Sequence, residues 1–366
     1  MKIDRAKLSK ALNRIGMFVG KNAISPATSM VHFKNLNNKA TVFATDLNSA
    51  GRAHFDTEEP GDFEFCVDYQ QMMMASRMRG KAIDVTFEEG NALKFSDGRT
   101  EFSFESKDKD SLSKMEEATV IPEGKSFKIS GKDLKKAVAW GGYARNEKNA
   151  QYPFITGVHF MSNGESIDMN STDRQRIAGW KRGSTVNIDG SQEEMMDGIM
   201  SPQNIKSVSL FDDDEEISLY ITDTQIILVS DECEAYASKI NCEYKDISPF
   251  FTVPVKSSYT VKTKDVMESL GIYDDKSNWL KLNFSDGKVK VEALCAGGKV
   301  YDEFDCTKVS GDNVNCTFDI KKFKDIFNNV KAEEMTIEFR QLNERTPVMT
   351  YQTDDGAYGM LGEFRV

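Results

Sequence analysis

Lys7, Lys10, Arg14 and Lys21 follow one another at spacings of three, four and seven residues, while Leu8, Leu12, Ile15 and Val19 keep helical spacing beside them. Wound into a helix, this segment turns an apolar stripe toward a core and a cationic stripe elsewhere. The chemistry open to such a stripe is electrostatic. Ammonium and guanidinium groups meet phosphate oxygens, which every nucleotide presents alike, so binding ignores base sequence. The design recurs near the other end, where Phe323, Ile326, Phe327 and Val330 accompany Lys321, Lys324 and Lys331. Lys132, Lys135 and Lys136, followed by Arg145 and Lys148, form a third cluster, and Arg77, Arg79 and Lys206 lie in shorter helical regions. All of these except Lys135 and Lys331 are candidate phosphate contacts.

Covalent chemistry is not legible. The chain has no Gly-x-x-x-x-Gly-Lys-Ser/Thr loop, no Gly-x-Gly-x-x-Gly fingerprint and no Gly-x-Ser-x-Gly elbow. Its histidines are His32, His54 and His159, and two of them occupy equivalent repeat positions, which disfavours a triad or a metal cluster. The six cysteines, at 66, 233, 242, 295, 306 and 316, form no Cys-x-x-Cys pair and are expected reduced and mostly buried. Asp46 and Asp173 are expected to cap turns, Met72 to Met74 to fill a core, and Asp212 to Glu216 to form a solvated turn. No cofactor, metal or catalytic residue is expected. With 39% hydrophobic and 29% charged residues, the 366-residue chain has the composition of a folded protein. It shows no apolar run near the roughly 20 residues a membrane span needs and no signal-peptide pattern, so the expected address is cytoplasmic.

Repetition supplies the frame that would position the cations. PATSMVHF at residues 26 to 33 returns as PFITGVHF at 153 to 160, an offset of 127 that Thr45-Asp46 and Thr172-Asp173 share. A fainter third copy relates Tyr259 to Val266 with Phe127 to Leu134. Three domains follow, 1–122, 123–252 and 253–366, with proline-bearing connectors around Pro122 and from Pro249 to Pro254. Each contains two units of a short strand, an amphipathic helix and several alternating strands, an α+β class with two helices packed on antiparallel sheets per domain. The strand-helix openings are expected at 1–19, 63–78, 127–143, 199–210, 259–273 and 317–330. Residues 4–21, 76–81, 125–148, 201–211, 261–276 and 319–331, taken as the helix regions, hold 23 Lys and Arg against 9 Asp and Glu, a net of +14, in a chain whose total is −11. An acidic protein has thus sorted its positive charge onto helices. Two other readings stay open: a repeated α+β scaffold that binds only proteins, its basic faces merely solvated, and an enzyme with an unrecognised carboxylate site.

Over its full length this pattern resembles the bacterial sliding clamp, the β subunit of DNA polymerase III. The most specific match is Thr172-Asp173-Arg174-Gln175-Arg176-Ile177, similar to the family's Thr-Asp-Gly-His-Arg-Leu. The resemblance implies three clamp domains with helices lining a closed ring around double-stranded DNA, gripped without regard to sequence, and a head-to-tail homodimer. It implies a groove between the second and third domains for short peptides of the DNA polymerase and the clamp loader. Its residues here would be Ile155, Thr172, Arg174, Gln175, Arg176, Ile177, Cys242, Ile247, Met360, Leu361, Gly362, Phe364, Arg365 and Val366. Ring closure would use Phe102 and Phe104 on one side and Ile272 and Tyr273 on the other, with Arg77, Arg79 and Arg99 facing Asp302, Glu303 and Asp305. Arg174 and Gln175 replace Gly-His, and Gly362 and Glu363 replace Met-Pro, so the groove is expected to be tuned to a different peptide, as would suit a phage replisome. No membrane partner is implied.

Overall fold

Six strands ending at a helix begin the six expected units, and in three of them the strand's last residue is an aspartate that caps the helix. In this computed structural model, which describes residues 1–20, 25–58, 61–88, 92–149, 151–183, 196–273, 279–295, 298–343 and 346–363, Asp4 accepts from the Lys7 N–H, Asp68 from that of Gln70, and Asp319 from those of Lys321 and Lys322. Each cap satisfies a backbone donor that the first helical turn leaves without a partner. The helices are α1 (Arg5–Ile15), α2 (Tyr69–Ser76), α3 (Asp110–Glu117), α4 (Gly131–Gly142), α5 (Pro202–Ile205), α6 (Pro249–Thr252), α7 (Thr263–Leu270) and α8 (Ile320–Asn329). Helices α1, α2, α4, α5, α7 and α8 stand at the six expected openings. α3 and α6 were not expected.

The chain divides into two compact units, Met1–Gly131 with Lys206–Lys239, and Lys132–Ile205 with Ile240–Val366. In the first unit, a four-stranded sheet runs Lys2–Asp4, Ala82–Phe87, Ala92–Ser96, Glu101–Glu105. An eight-stranded sheet runs Phe63–Asp68, Met30–Leu36, Lys39–Thr45, Ser49–Asp56, Cys233–Ser238, Gln225–Val229, Glu216–Ile221, Phe127–Ser130. The apolar stripe of α1 is fully buried at Leu8, Leu12 and Ile15.

The second unit holds a twelve-stranded sheet. Its outer strand Met196–Met200 is followed by Val158–Ser162, Ile167–Thr172 and Arg176–Arg182, then by Ala357–Gly362, Thr346–Gln352, Glu334–Asn343 and Val255–Lys262. Gly298–Gly311, Lys288–Cys295, Trp279–Phe284 and Val314–Asp319 complete it. The 14-residue strand Gly298–Gly311 pairs with Lys288–Cys295 along its first half and with Val255–Lys262 along its second. All described pairings in the sheets are antiparallel, and α8 buries Ile320, Phe323, Ile326 and Phe327.

The expected middle domain, 123–252, is divided between the two units. The physical reason is a ladder that runs unbroken over each expected joint. Ser49–Asp56 pairs with Cys233–Ser238, placing Ala50 opposite Tyr236. In the same way Arg176–Arg182 pairs with Ala357–Gly362, placing Ile177 opposite Met360 and Gly179 opposite Tyr358. A Cβ on Gly179 would lie 2.2 Å from the Tyr358 ring, so the ring crosses this ladder only because glycine stands there.

Candidate nucleic-acid face and peptide groove

α1 presents its cations differently from the sequence expectation. Lys7 is exposed and donates through Nζ to the Asp56 carbonyl at 3.0 Å. Lys10 Nζ meets Asp212 at 3.0 Å and Glu232 at 2.7 Å. Arg14, one turn on, is only 6% exposed, and its guanidinium contacts Asp212 at 2.9 Å, Glu215 at 2.8 Å and Glu232 at 3.2 Å. Arg14 is therefore a buried structural cation, a correction to its place among the surface contacts. Asp212 to Glu216 is more than a solvated turn, since two of its carboxylates hold Arg14. The hydrogen bond from Lys10 draws the Asp212 carboxyl below its ordinary value, and the bond to Glu232 raises that of Lys10. Among the described residues, Asp212, Glu215 and Glu232 are the one group of carboxylates spaced for a metal ion. Lys10 and Arg14 already neutralise it.

The remaining cations fall into two classes. Lys136 stacks 4.2 Å from the Trp140 ring centre and pairs with Asp355 at 3.1 Å. Arg145 pairs with Glu147 at 2.7 Å and donates to the Gly142 carbonyl at 2.6 Å. Lys132, Lys148, Lys206, Lys321, Arg77 and Arg79 are exposed and Lys324 half-exposed, with no ion pair among the described residues. Lys21 lies outside the described residues.

The groove segment is built on a turn that occurs twice. Thr172 Oγ1 donates to the Arg176 carbonyl and accepts from the Arg174 N–H, while Asp173 Oδ1 accepts from the Gln175 and Arg176 N–H groups. Thr45, Asp46 and Leu47 reproduce these bonds with Asn48 and Ser49. In both turns the third residue, Leu47 or Arg174, has φ +75°. Asp46 and Asp173 thus do brace turns.

Beyond the second turn Ile177, Met360 and Val348 form a buried apolar cluster, against which Ile247, Phe250, Phe251 and Leu342 pack half-buried. Ile155 and Leu361 are buried, Cys242 and Gly362 half-buried, and the Gly362 N–H donates to the Gln175 carbonyl at 3.0 Å. A hollow of about 600 Å³ shares Val348 and is lined by Val314, Cys316, Phe318, Phe339 and Glu363. Phe364, Arg365 and Val366 lie outside the described residues.

Charge at this groove is placed unevenly. Arg176 is held by Asp173 at 3.1 Å and Asp325 at 2.7 Å, over the Tyr143 ring. Burial drives its guanidinium down, yet the Asp325 hydrogen bond and both carboxylate charges leave it above its ordinary value. Arg174 is exposed and stacks 4.4 Å from the Tyr152 ring centre.

Several groups that shape the groove were missed in the sequence. Arg340 donates to the Phe251 carbonyl at 2.7 Å and also to that of Val253, so it pins the connector whose Phe250 and Phe251 form part of the apolar wall. Beneath, Tyr358 donates to the buried Asp168 carboxylate at 2.7 Å and Asn170 adds a bond at 3.0 Å. Burial nevertheless raises the Asp168 pKa. Their one signal was an aspartate inside an otherwise strand-like run, 167–172.

At the expected ring-closing edges, Phe102 and Phe104 are half-buried and stacked 5.9 Å apart, with Arg99 exposed nearby. Ile272 is 57% exposed, but Tyr273 is 4% exposed, buried in its own unit, so of the two residues expected at this edge Ile272 is surface and Tyr273 is not. Glu303 and Asp305 are paired with Lys288 at 3.1 and 2.9 Å. Glu101–Glu105 is the last strand of its sheet, and residues 298–305 of the long strand pair on one side only among the described residues.

No family model matches the chain. The curated β sliding clamp of Streptococcus pneumoniae is 23% identical over 269 residues, 70% of this chain and 69% of that protein. That of Staphylococcus epidermidis is 21% identical over 276 residues, 72% and 70% of the two. The crystal structure of the DNA polymerase III subunit β from Pseudomonas aeruginosa has a TM-score of 0.82 at 17% identity, covering 100% of both chains. The β chain from Streptococcus pneumoniae gives 0.80 at 18%, covering 100% and 99%. No described helix is long and apolar enough to cross a membrane.

Proposed function

We propose that the chain is a divergent member of the DNA polymerase III β sliding-clamp family and serves as a processivity factor without catalytic activity of its own, a reading supported by its similarity to the curated clamps and by the shared fold. Two copies join head to tail around duplex DNA, and the groove at Ile177, Val348 and Met360 receives short peptides from the polymerase and the loader. Each chain contributes three repeated domains, 1–122, 123–252 and 253–366.

The observation that carries this reading is a rule of strand pairing. At both internal joints the last strand of one unit pairs antiparallel with the last strand of another: Ser49–Asp56 with Cys233–Ser238, and Arg176–Arg182 with Ala357–Gly362. Two final strands keep a bare margin among the described residues, Glu101–Glu105 and the first half of Gly298–Gly311. Joined by the same rule between two chains, these two strands cover each other's bare margins, and a heterologous contact that closes makes a ring. DNA would be held through phosphates by Lys132, Lys148, Lys206, Lys321 and Lys324, with Arg77 and Arg79; Lys10 and Arg14 are already neutralised.

The test is topological. Loaded on nicked circular DNA, the protein is expected to persist at high salt and to dissociate when the circle is linearised. Equal, salt-sensitive binding to both forms would instead support a protein-binding scaffold with an ordinary basic surface. Replacing Lys132, Lys148, Lys321 and Lys324 together by Glu is expected to abolish retention and leave the oligomer intact on sedimentation.

A further inference from the structure

Arg174 is the one groove arginine whose charge the described protein leaves unmatched. Its neighbour Asp173 uses Oδ1 on the Gln175 and Arg176 N–H groups and Oδ2 on Arg176 Nε. Arg176 takes Asp325 as well. Among the described residues the Arg174 guanidinium has only the Tyr152 ring, 4.4 Å beneath its central carbon. Stacking engages the face of the guanidinium and leaves its N–H donors, which lie in the plane, pointing outward in the fork that fits a carboxylate. The turn does not demand a cation, because Leu47 occupies the same backbone position at the same φ of +75°. The apolar cluster of Ile177, Val348 and Met360 begins three residues along the chain from Arg174 and offers an anchor site but no charge.

We propose that Arg174 sets the groove's specificity, selecting peptides that carry an Asp or Glu beside their apolar anchor. This rests on the groove reading above. The aromatic seat fixes the guanidinium in advance, so little rotamer freedom is lost when a carboxylate docks. Charge-assisted, two-pronged bonds of this kind are stronger than neutral ones, though solvent exposure tempers them.

Fluorescence anisotropy on the full-length protein tests it, with labelled peptides that share one leucine as the apolar anchor and differ only in a flanking Asp or Asn. The wild type is expected to bind the Asp peptide roughly fivefold to tenfold more tightly, a preference that fades as salt is raised. Arg174→Gln is expected to erase the difference between the two peptides, and Arg174→Glu to disfavour the Asp peptide. The variants should melt like the wild type, since the side chain is exposed. Equal binding of both peptides by the wild type overturns the proposal and leaves the groove reading intact. If neither peptide binds, or Ile177→Asp leaves binding unchanged, the groove reading fails and this inference with it. If Arg174→Gln weakens retention on circular DNA instead, the side chain faces phosphate and the proposal is wrong.

Discussion

The joint between Ser49–Asp56 and Cys233–Ser238 and the joint between Arg176–Arg182 and Ala357–Gly362 start from the same braced turn, yet they bury different things. In the first, Arg52 reaches Glu234 at 2.5 Å, Tyr236 at 3.2 Å, and Glu116 and Thr119 of the α3 region, while His54 meets the other Glu234 oxygen at 2.9 Å. α3 adds the fully buried Leu112 to a core of Phe43, Ala50, Cys66, Ile227 and Tyr236. In the second joint Gly179 and Tyr358 stand where Arg52 and Glu234 do, and Ile177 and Met360, in the places of Ala50 and Tyr236, are buried against the connector's half-buried Ile247, Phe250 and Phe251. One copy is sealed by a charged network with every partner supplied from its own unit; the other is apolar, with a half-buried outer wall of Ile247, Phe250, Phe251 and Leu342. Duplication of a backbone thus left one joint braced by charge and the other by apolar packing.

The comparison breaks most decisively at Glu234. Replacement by Ala removes the acceptor of Arg52, His54 and Tyr236 together and strands a half-buried guanidinium, so urea unfolding is expected to show a loss of about 3–5 kcal/mol. A loss under about 1 kcal/mol would mean that the first joint is not held by charge. Acid sharpens the contrast. Burial pushes the Glu234 carboxyl up, but bonds from His54 and Tyr236 and the charge of Arg52 prevail and hold it at about 2, against an ordinary 4.5. Its contribution is complete above 4.5 and disappears as pH falls toward 2, on the order of 3 kcal/mol in all. Asp168, beneath the second joint, runs the other way. Its raised pKa means that the folded state prefers the protonated form, so its penalty is absent in acid and grows as pH rises through the folded value. Asp168→Asn is therefore expected to raise stability at neutral pH by about 0.5–1 kcal/mol and to change little near the acid end of a pH series. The smallest effect is expected at the turns. Leu47→Gly relieves a left-handed backbone but gives the unfolded chain more freedom, so its net change should stay below about 0.5 kcal/mol in the same unfolding assay. A loss above about 1 kcal/mol would show that the half-exposed Leu47 side chain packs.

What the sequence showed and hid follows the same division. The six strand-helix openings were legible because an apolar stripe at helical spacing follows each strand, and the repeated Thr-Asp marked both turns 127 residues apart. α3 and α6 were not, since eight residues around Leu112, half of them charged, and four residues around Phe250 and Phe251 are too short for a period to register. Arg14 read as one more member of a basic stripe. Its burial is decided by Asp212, Glu215 and Glu232, about 200 positions away, which no local pattern can reveal. At the second joint Thr172 and Asp173 were readable from the repeat and Arg174 to Ile177 through the family resemblance, whereas Leu342, Val348 and Arg340 come together only through strand order. Arg340 was hidden for the further reason that its partners are backbone carbonyls at Phe251 and Val253, which have no sequence signature.

The two bare strand margins bear on how the chain avoids clumping. A strand edge with unused N–H and C=O groups will accept almost any extended segment, the first step of amyloid-like stacking. Here Glu101 and Glu105 project from one margin and Lys299, Glu303 and Asp305 from the other, all exposed. These side chains act as gatekeepers: an intruding strand must bring charges that fit both rows, which an arbitrary unfolded polypeptide does not.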